Sequence, residues 1–168
     1  PLLAFNERWP TLRKKAATDA VLSALGAPKL AAIRDVLHEI AVVQKRKVVV
    51  FSQWRRMLEL VEWSSRGMLD RAGVRAVFFT GHERAKRRTH NLVDFNDDPA
   101  TRILFASDAG GVGLNLQHAA SACINVEPPW NPAVLEQRIG RIHRNGQTKN
   151  IEAFHIVTEG GIEARICD

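Results

Sequence analysis

Cysteine is scarce: Cys123 and Cys167 are the two in 168 residues, far apart and in apolar contexts. That excludes a disulfide framework and a zinc module, and the expected state is a pair of reduced thiols inside a cell. Long apolar runs are missing too. No stretch approaches the ~20 residues of a membrane-spanning helix, and Pro1-Leu2-Leu3-Ala4 lacks signal-peptide architecture. The expectation is a soluble, cytoplasmic protein, nucleoid-associated if bacterial, without a membrane partner. His82, His90, His118, His143 and His155 show no ligand spacing, so no metal site is expected. Also absent are a Gly-x-x-x-x-Gly-Lys-Ser/Thr loop and an Asp-Glu pair after a strand to hold magnesium. The chain has no phosphate cradle of its own.

What is present suits one domain with a real core. Lys and Arg number 24 against 18 Asp and Glu, a net charge of +6 and a pI near 9.9. This is compatible with a nucleic-acid partner without requiring one. Residues 1–28, with Arg13-Lys14-Lys15 and the Gly26-Ala27-Pro28 break, read as a connecting segment, leaving 29–168 as the domain. An amphipathic helix is expected from Lys29 to Gln44, then a buried strand at Val48-Val49-Val50-Phe51. Further helices are predicted at 54–72 and 83–96, the second strongly basic. Strands are predicted at 74–79, 103–106, 122–126 and 151–157, with a short helix to finish. Alternating strands and helices predict an α/β fold with a parallel sheet, helices on both faces, and ligands at the strands' carboxyl ends.

The organising stretch is Gln137-Arg138-Ile139-Gly140-Arg141-Ile142-His143-Arg144. If Pro132 starts a helix that continues to Arg144, then Gln137, Arg141 and Arg144 share one face. Leu135, Ile139 and Ile142 lie opposite, and the two arginines are separated by about 4.5 Å of rise. Gly140 beside that face, costly inside a helix by about 1 kcal/mol, suggests close approach of something bulky. Asn145-Gly146-Gln147 stops the helix. Planar, bidentate guanidiniums suit the charge that spreads over a departing phosphoryl group, so the stretch reads as a supplier of arginine fingers.

Three loops at strand ends add to it. Ser52 and Gln53 follow the first strand, where the hydroxyl either holds a phosphate or caps a helix. Ser107-Asp108-Ala109-Gly110-Gly111-Val112-Gly113-Leu114-Asn115 clears side chains from backbone N–H groups that could face a polyanion, with Asp108 also a candidate helix cap. Glu127-Pro128-Pro129-Trp130-Asn131-Pro132 stiffens the approach to the arginine stretch, with Trp130 expected to pack. The basic helix at 83–96 is expected to be a solvated face.

Phe51-Ser52-Gln53-Trp54, Ser107 through Leu116, Pro129-Trp130-Asn131-Pro132 and Gln137 through Gln147 resemble, in order and spacing, motifs IV, V and VI of Snf-family ATPases. These belong to helicase superfamily two, and the likeness is to their second RecA-like lobe. Phe79-Thr80-Gly81, Arg88 and Phe95 follow the same pattern, and Leu135 through Arg141 looks most like the bacterial RapA-like branch. The resemblance spans roughly residues 29–166. It implies ATP with Mg in a cleft between two lobes, bound mainly by an N-terminal lobe of the same protein. Arg141 and Arg144 would be catalytic fingers with Gln137 beside them, Gly113 and Asn115 would approach the nucleotide, and Ser52, Gln53, Ser107, Asp108 and Gly110 would contact the DNA backbone. Thr80 stands where the family usually has Asp, and Asp108 where Thr or Lys is common.

The reading is the C-terminal lobe of an ATP-dependent double-stranded DNA translocase, a DNA-dependent ATPase when whole and inactive as this chain alone. Two alternatives remain open: a free-standing nucleic-acid-binding module without ATPase activity, and a lobe of an RNA helicase.

Overall fold

The computed structural model describes residues 9–108 and 114–158. The glycines at 110, 111 and 113 and the expected final helix lie outside them. Each predicted strand is found. β1 (Val48–Ser52) is buried along its whole length, as a β-branched run between sheet neighbours should be. β2 is Arg75–Phe79, β3 Thr101–Ser107, β4 Ala122–Asn125 and β5 Glu152–His155. They form one sheet of order β2-β3-β1-β4-β5, every pair parallel.

Side-chain alternation splits the core by face. Val48, Val50, Ile103, Phe105, Ala122 and Ile124 point to one side. They meet α2 (Pro28–Leu37) and α3 (Arg55–Arg71). Val49, Phe51, Leu104, Ala106 and Cys123 point to the other, against Phe95 of α4 (Ala85–Asp97) and Leu114, Leu116 and Ile142. Each fully buried aliphatic or aromatic side chain contributes roughly 1.5–3 kcal/mol. Helices cover both faces, as expected.

α2 departs from the expected single α-helix: it continues through a π-helical turn at His38–Val43. The segment before it is packed. α1 (Asp19–Ala24), capped by the Thr18 hydroxyl, buries Leu22. Trp9 enters the same core edge-on to Trp63, centroids 5.6 Å apart, and the Trp63 indole N–H donates to the Lys15 carbonyl at 2.9 Å.

Topology then places the site. The β1-to-β2 connection runs over the α2/α3 face, whereas β3-to-β4 crosses β1 on the opposite face, through Leu114 and Leu116. These neighbouring strands send their chains to opposite sides, so a crevice opens at their carboxyl ends. In open α/β sheets that switch point is where ligands bind.

Candidate nucleotide-facing and nucleic-acid interface

A notch of about 70 Å³ sits at that switch point, lined by Phe51, Ser107, Asp108, Val134, Gln137, Arg138 and Arg141. A complete small-molecule pocket runs to roughly 300–1,000 Å³. The notch is one wall of a site.

Its arginine wall is built by α5 (Pro132–Ile139), opened by Pro132 and capped by the Asn131 side chain, which accepts from the Ala133 N–H at 3.0 Å. Here expectation and structure part. The helix ends at Ile139, with Gly140 as its C-cap, and the chain turns through i→i+3 bonds from Arg141 N–H to Arg138 and from Ile142 N–H to Ile139. A Cβ on Gly140 would lie 3.1 Å from the Glu136 carbonyl. The space a side chain would need there is taken by the glycine's own preceding turn. Arg141 remains on the notch with Gln137, while Arg144 stands exposed beyond the turn. The segment closes at Gly146, whose φ of 98° is open to glycine at little cost.

Between the two notch residues lies one the sequence reading passed over. Arg138 is 2% exposed. Its guanidinium grips Asp108 bidentately, Nε to Oδ1 at 2.7 Å and Nη2 to Oδ2 at 2.8 Å. Nη1 donates at 3.2 Å to both the Asn125 side-chain oxygen and the Glu127 carbonyl. The Glu127 carboxylate is 3.9 Å away and itself accepts the Gln53 N–H at 2.5 Å. One buried cation thus joins the carboxyl ends of β1, β3 and β4 to α5. Burial pushes the Glu127 carboxyl above its ordinary pKa, against the opposing pull of the Gln53 N–H, the Ser52 hydroxyl and Arg138. The missed signal was positional: Leu135, Arg138 and Ile142 are spaced i, i+3 and i+7, which puts Arg138 within the aliphatic stripe.

Two residues expected at the DNA backbone have partners inside the lobe. Asp108 spends both carboxylate oxygens on Arg138. Ser52 is fully buried, its hydroxyl closed on the Trp54 backbone N–H at 3.0 Å and carbonyl at 3.1 Å. It neither reaches outward nor caps α3, whose N-cap is Trp54. Ser107 is buried on the notch, and Gln53 and Asn115 are exposed. Gly110 and Gly113 lie outside the described residues. Trp130, expected to pack, is 66% exposed.

Thr80 has a comparable local function. Glu83 reaches back to its N–H at 2.6 Å and hydroxyl at 2.8 Å and pairs with Arg55. The N-termini of α3 and α4 are thereby clamped together. Among the described residues no group of three His, Cys, Asp or Glu is placed to hold a metal, and no helix is long and apolar enough to cross a membrane.

A five-stranded parallel sheet with its exposed polar wall at the switch point defines a RecA-like α/β domain. Residues 28–146 match the helicase conserved C-terminal domain. The chain is 35% identical over 149 residues to the DNA repair and recombination protein RDH54 of Saccharomyces cerevisiae, a match covering 88% of this chain and 16% of that protein. It is 41% identical over 121 residues to the DNA repair protein RAD5B of Arabidopsis thaliana, covering 71% and 9% respectively. The solved C-terminal part of the Fun30 ATPase domain superposes with a TM-score of 0.73 at 29% identity, over 83% of this chain and 44% of that one. The chain belongs to the helicase C-terminal domain family, as the C-terminal RecA-like lobe of a Snf-family ATPase of helicase superfamily two. It spans about one sixth of RDH54's length, at 16%.

Proposed function

We propose that this chain is the second lobe of an ATP-dependent double-stranded DNA translocase, in which Arg141 and Arg144 serve as arginine fingers. The nucleotide they meet is ATP with Mg, bound mainly by an N-terminal RecA-like lobe of the same protein. The observation that carries this reading is a division of charge within one short stretch. Arg138 is buried and neutralised by Asp108 and Glu127. Arg141, three residues on, lines the notch with Gln137, and among the described residues neither Arg141 nor Arg144 meets a carboxylate.

Arg141, half-buried on the switch-point notch, and Arg144, exposed past the turn, are left to meet an anion arriving from outside. The notch is too small for a nucleotide, which fits a wall that meets only the terminal phosphate. Gln137 is exposed beside Arg141 and orients polar groups there. Gly113 and Asn115 approach the nucleotide, and Gln53, Ser107 and Gly110 face the DNA backbone. Lobe closure brings the fingers to the developing charge, and opening resets the lobe on the strand. The relatives named for DNA repair support DNA as the polymer.

In the full-length enzyme, Arg144→Ala is expected to lower kcat by about 10³-fold or more, the scale measured for arginine fingers. A DNA-stimulated ATPase assay with less than a tenfold loss would rule that role out. This chain by itself is expected to hydrolyse no ATP.

A further inference from the structure

A hollow of about 700 Å³ lies at the other end of the sheet from the notch, where the strands begin. Five cations line it, Lys45, Arg46, Lys47, Arg102 and Lys149, against one carboxylate, Glu152. They come from the residues before β1, the start of β3 and the approach to β5. Like charges gathered in one place repel, which costs the folded chain unless something answers them.

Three of the five are held by the fold. Lys47 Nζ donates to the Phe95, Asn96 and Asp98 carbonyls that end α4, the last two at 3.0 Å. Arg102 donates to the Pro99 carbonyl at 3.0 Å and the Ala41 carbonyl at 2.9 Å. Arg46 pairs with Glu152 and donates to the Ser121 hydroxyl at 3.1 Å and carbonyl at 3.0 Å. The carbonyl contacts fix position without cancelling charge, and Glu152 is spent on Arg46. Asp98, beyond the lining, is taken by Arg75 and Thr101. Lys45 and Lys149 are exposed, and neither side chain has a partner among the described residues. Burial, with Lys149 and Arg102 adding to it, pulls the Lys47 ammonium below its ordinary pKa against Asp98 and Asp97.

Lys45 gives an independent sign. It follows the π-helical turn with a φ of 55°, in the left-handed region where that position usually holds glycine. A side chain kept where glycine would relax the backbone points to a use for that side chain.

The lining sets the chemistry of the ligand. Neighbouring strands lie about 4.8 Å apart, so from β3 across β1 and β4 to β5 the cations cover roughly 14 Å. One phosphate is too short to meet them all, whereas an extended peptide puts alternate side chains about 7 Å apart on one side. No aromatic ring lines the hollow, so it offers no platform for bases. Glu152 suits the N–H groups of a peptide and repels a chain of phosphates.

We infer that this hollow seats an extended, carboxylate-rich segment of a protein partner, with Lys45 and Lys149 as its unpaired anchors. β1 is five residues long, which sets the hollow on the order of 15 Å from the strand ends that bear the notch. A partner docks there without covering Arg141.

The test is fluorescence anisotropy of the full-length protein with a fluorescein-labelled peptide of glutamates, at about 50 to 300 mM salt. It compares the wild type, Lys45→Gln/Lys149→Gln, and a charge-matched control at the opposite end of the sheet, Lys86→Gln/Arg87→Gln. The wild type is expected to bind saturably below ~1 mM and to weaken as salt rises. The double variant is expected to bind about three- to thirtyfold more weakly, the range for two exposed ion pairs, while the control matches the wild type. Lys45→Gly separates docking from packing: it is expected to melt at or above the wild-type temperature and to bind the peptide more weakly. A lower melting temperature with unchanged binding would overturn the assignment, because Lys45 would then serve only the fold. So would a wild type without saturable binding, or equal losses in the control and the double variant. Tripolyphosphate or a random-sequence duplex displacing the labelled peptide at lower charge concentration than unlabelled polyglutamate does would overturn the peptide as occupant. The DNA-stimulated ATPase of the double variant is expected to stay at the wild-type level, so these results and the translocase reading stand or fall separately.

Discussion

Replacing Arg138 by methionine keeps the volume and removes the cation. What it leaves behind decides the cost. Asp108 is 32% exposed at its side chain and can rehydrate, whereas Glu127 is 11% exposed and cannot. Asn125 also loses the partner of its side-chain oxygen. Breaking a buried pair by removing one member costs about 3–5 kcal/mol, because a charge is stranded. At about 2–4 °C per kcal/mol for a chain of this size, the melting temperature should fall by roughly 6–20 °C. The cost depends on pH through Glu127. Its folded pKa is already raised by burial above the ordinary 4.5, and losing Arg138 raises it further. A group with a raised folded pKa favours the folded state below its unfolded pKa, and this contribution is lost as pH rises through the folded value. The Arg138→Met deficit should therefore be smallest near pH 5 and grow toward pH 8. Asp108→Asn added to Arg138→Met should recover part of it, and Arg138→Lys, which keeps charge but loses the fork, should fall between. Urea titrations of this chain at both pH values measure all of this. A single-variant loss below about 1 kcal/mol at pH 8, or one that does not change with pH, would refute the hub, since a stranded buried carboxylate cannot be that cheap.

Two more outcomes follow from buried groups. Burial pushes the Cys123 thiol up to about 11, so in a Cys167→Ser background iodoacetamide at pH 8 should leave the folded chain unlabelled until denaturant is added; stoichiometric labelling of the native chain would contradict its enclosure. Burial alone would raise the Glu83 carboxyl, yet hydrogen bonds from Arg55 and Thr80 outweigh it and hold it below the ordinary value. Its contribution is present above the unfolded pKa and lost as pH falls through the lowered folded one, so Glu83→Gln should cost about 1–3 kcal/mol at pH 7 and progressively less as pH falls through the acid range. A constant cost across that range would show that the clamp is not ionic.

The sheet was legible because its strands are written twice, in composition and in alternation. Val48 through Phe51 is β-branched or aromatic at every position, which only a strand covered on both faces uses, and those residues divide evenly between the two cores. Crossover geometry did the rest, since strands separated by helices leave a parallel sheet as the consistent solution. Residues 9–27 were harder to read. Trp9 is anchored by a partner, Trp63, that lies far along the chain, and no local period announces a contact at that separation; Leu22 joins the same core.

The site was half legible for a reason that lies in how arginine is used. Sequence alone shows where a guanidinium is, and helical spacing shows which face it takes, but neither shows whether a carboxylate waits on that face. Gln137 on α5 and Arg141 in the turn just past it both line the notch, as their spacing suggested. Arg138 lay in the aliphatic stripe, where a cation is tolerable only if paired, and its partners come from two other loops, at Asp108 and Glu127. Asp108 carried the matching clue: a carboxylate in a loop expected to face phosphate is repulsive there unless something inside neutralises it. The two oddities, a buried-face arginine and an anion in a phosphate-facing loop, explain each other. Solving them together would have paired Asp108 with Arg138 and shown that the loops after β1, β3 and β4 are wired to the helix that leads into Arg141.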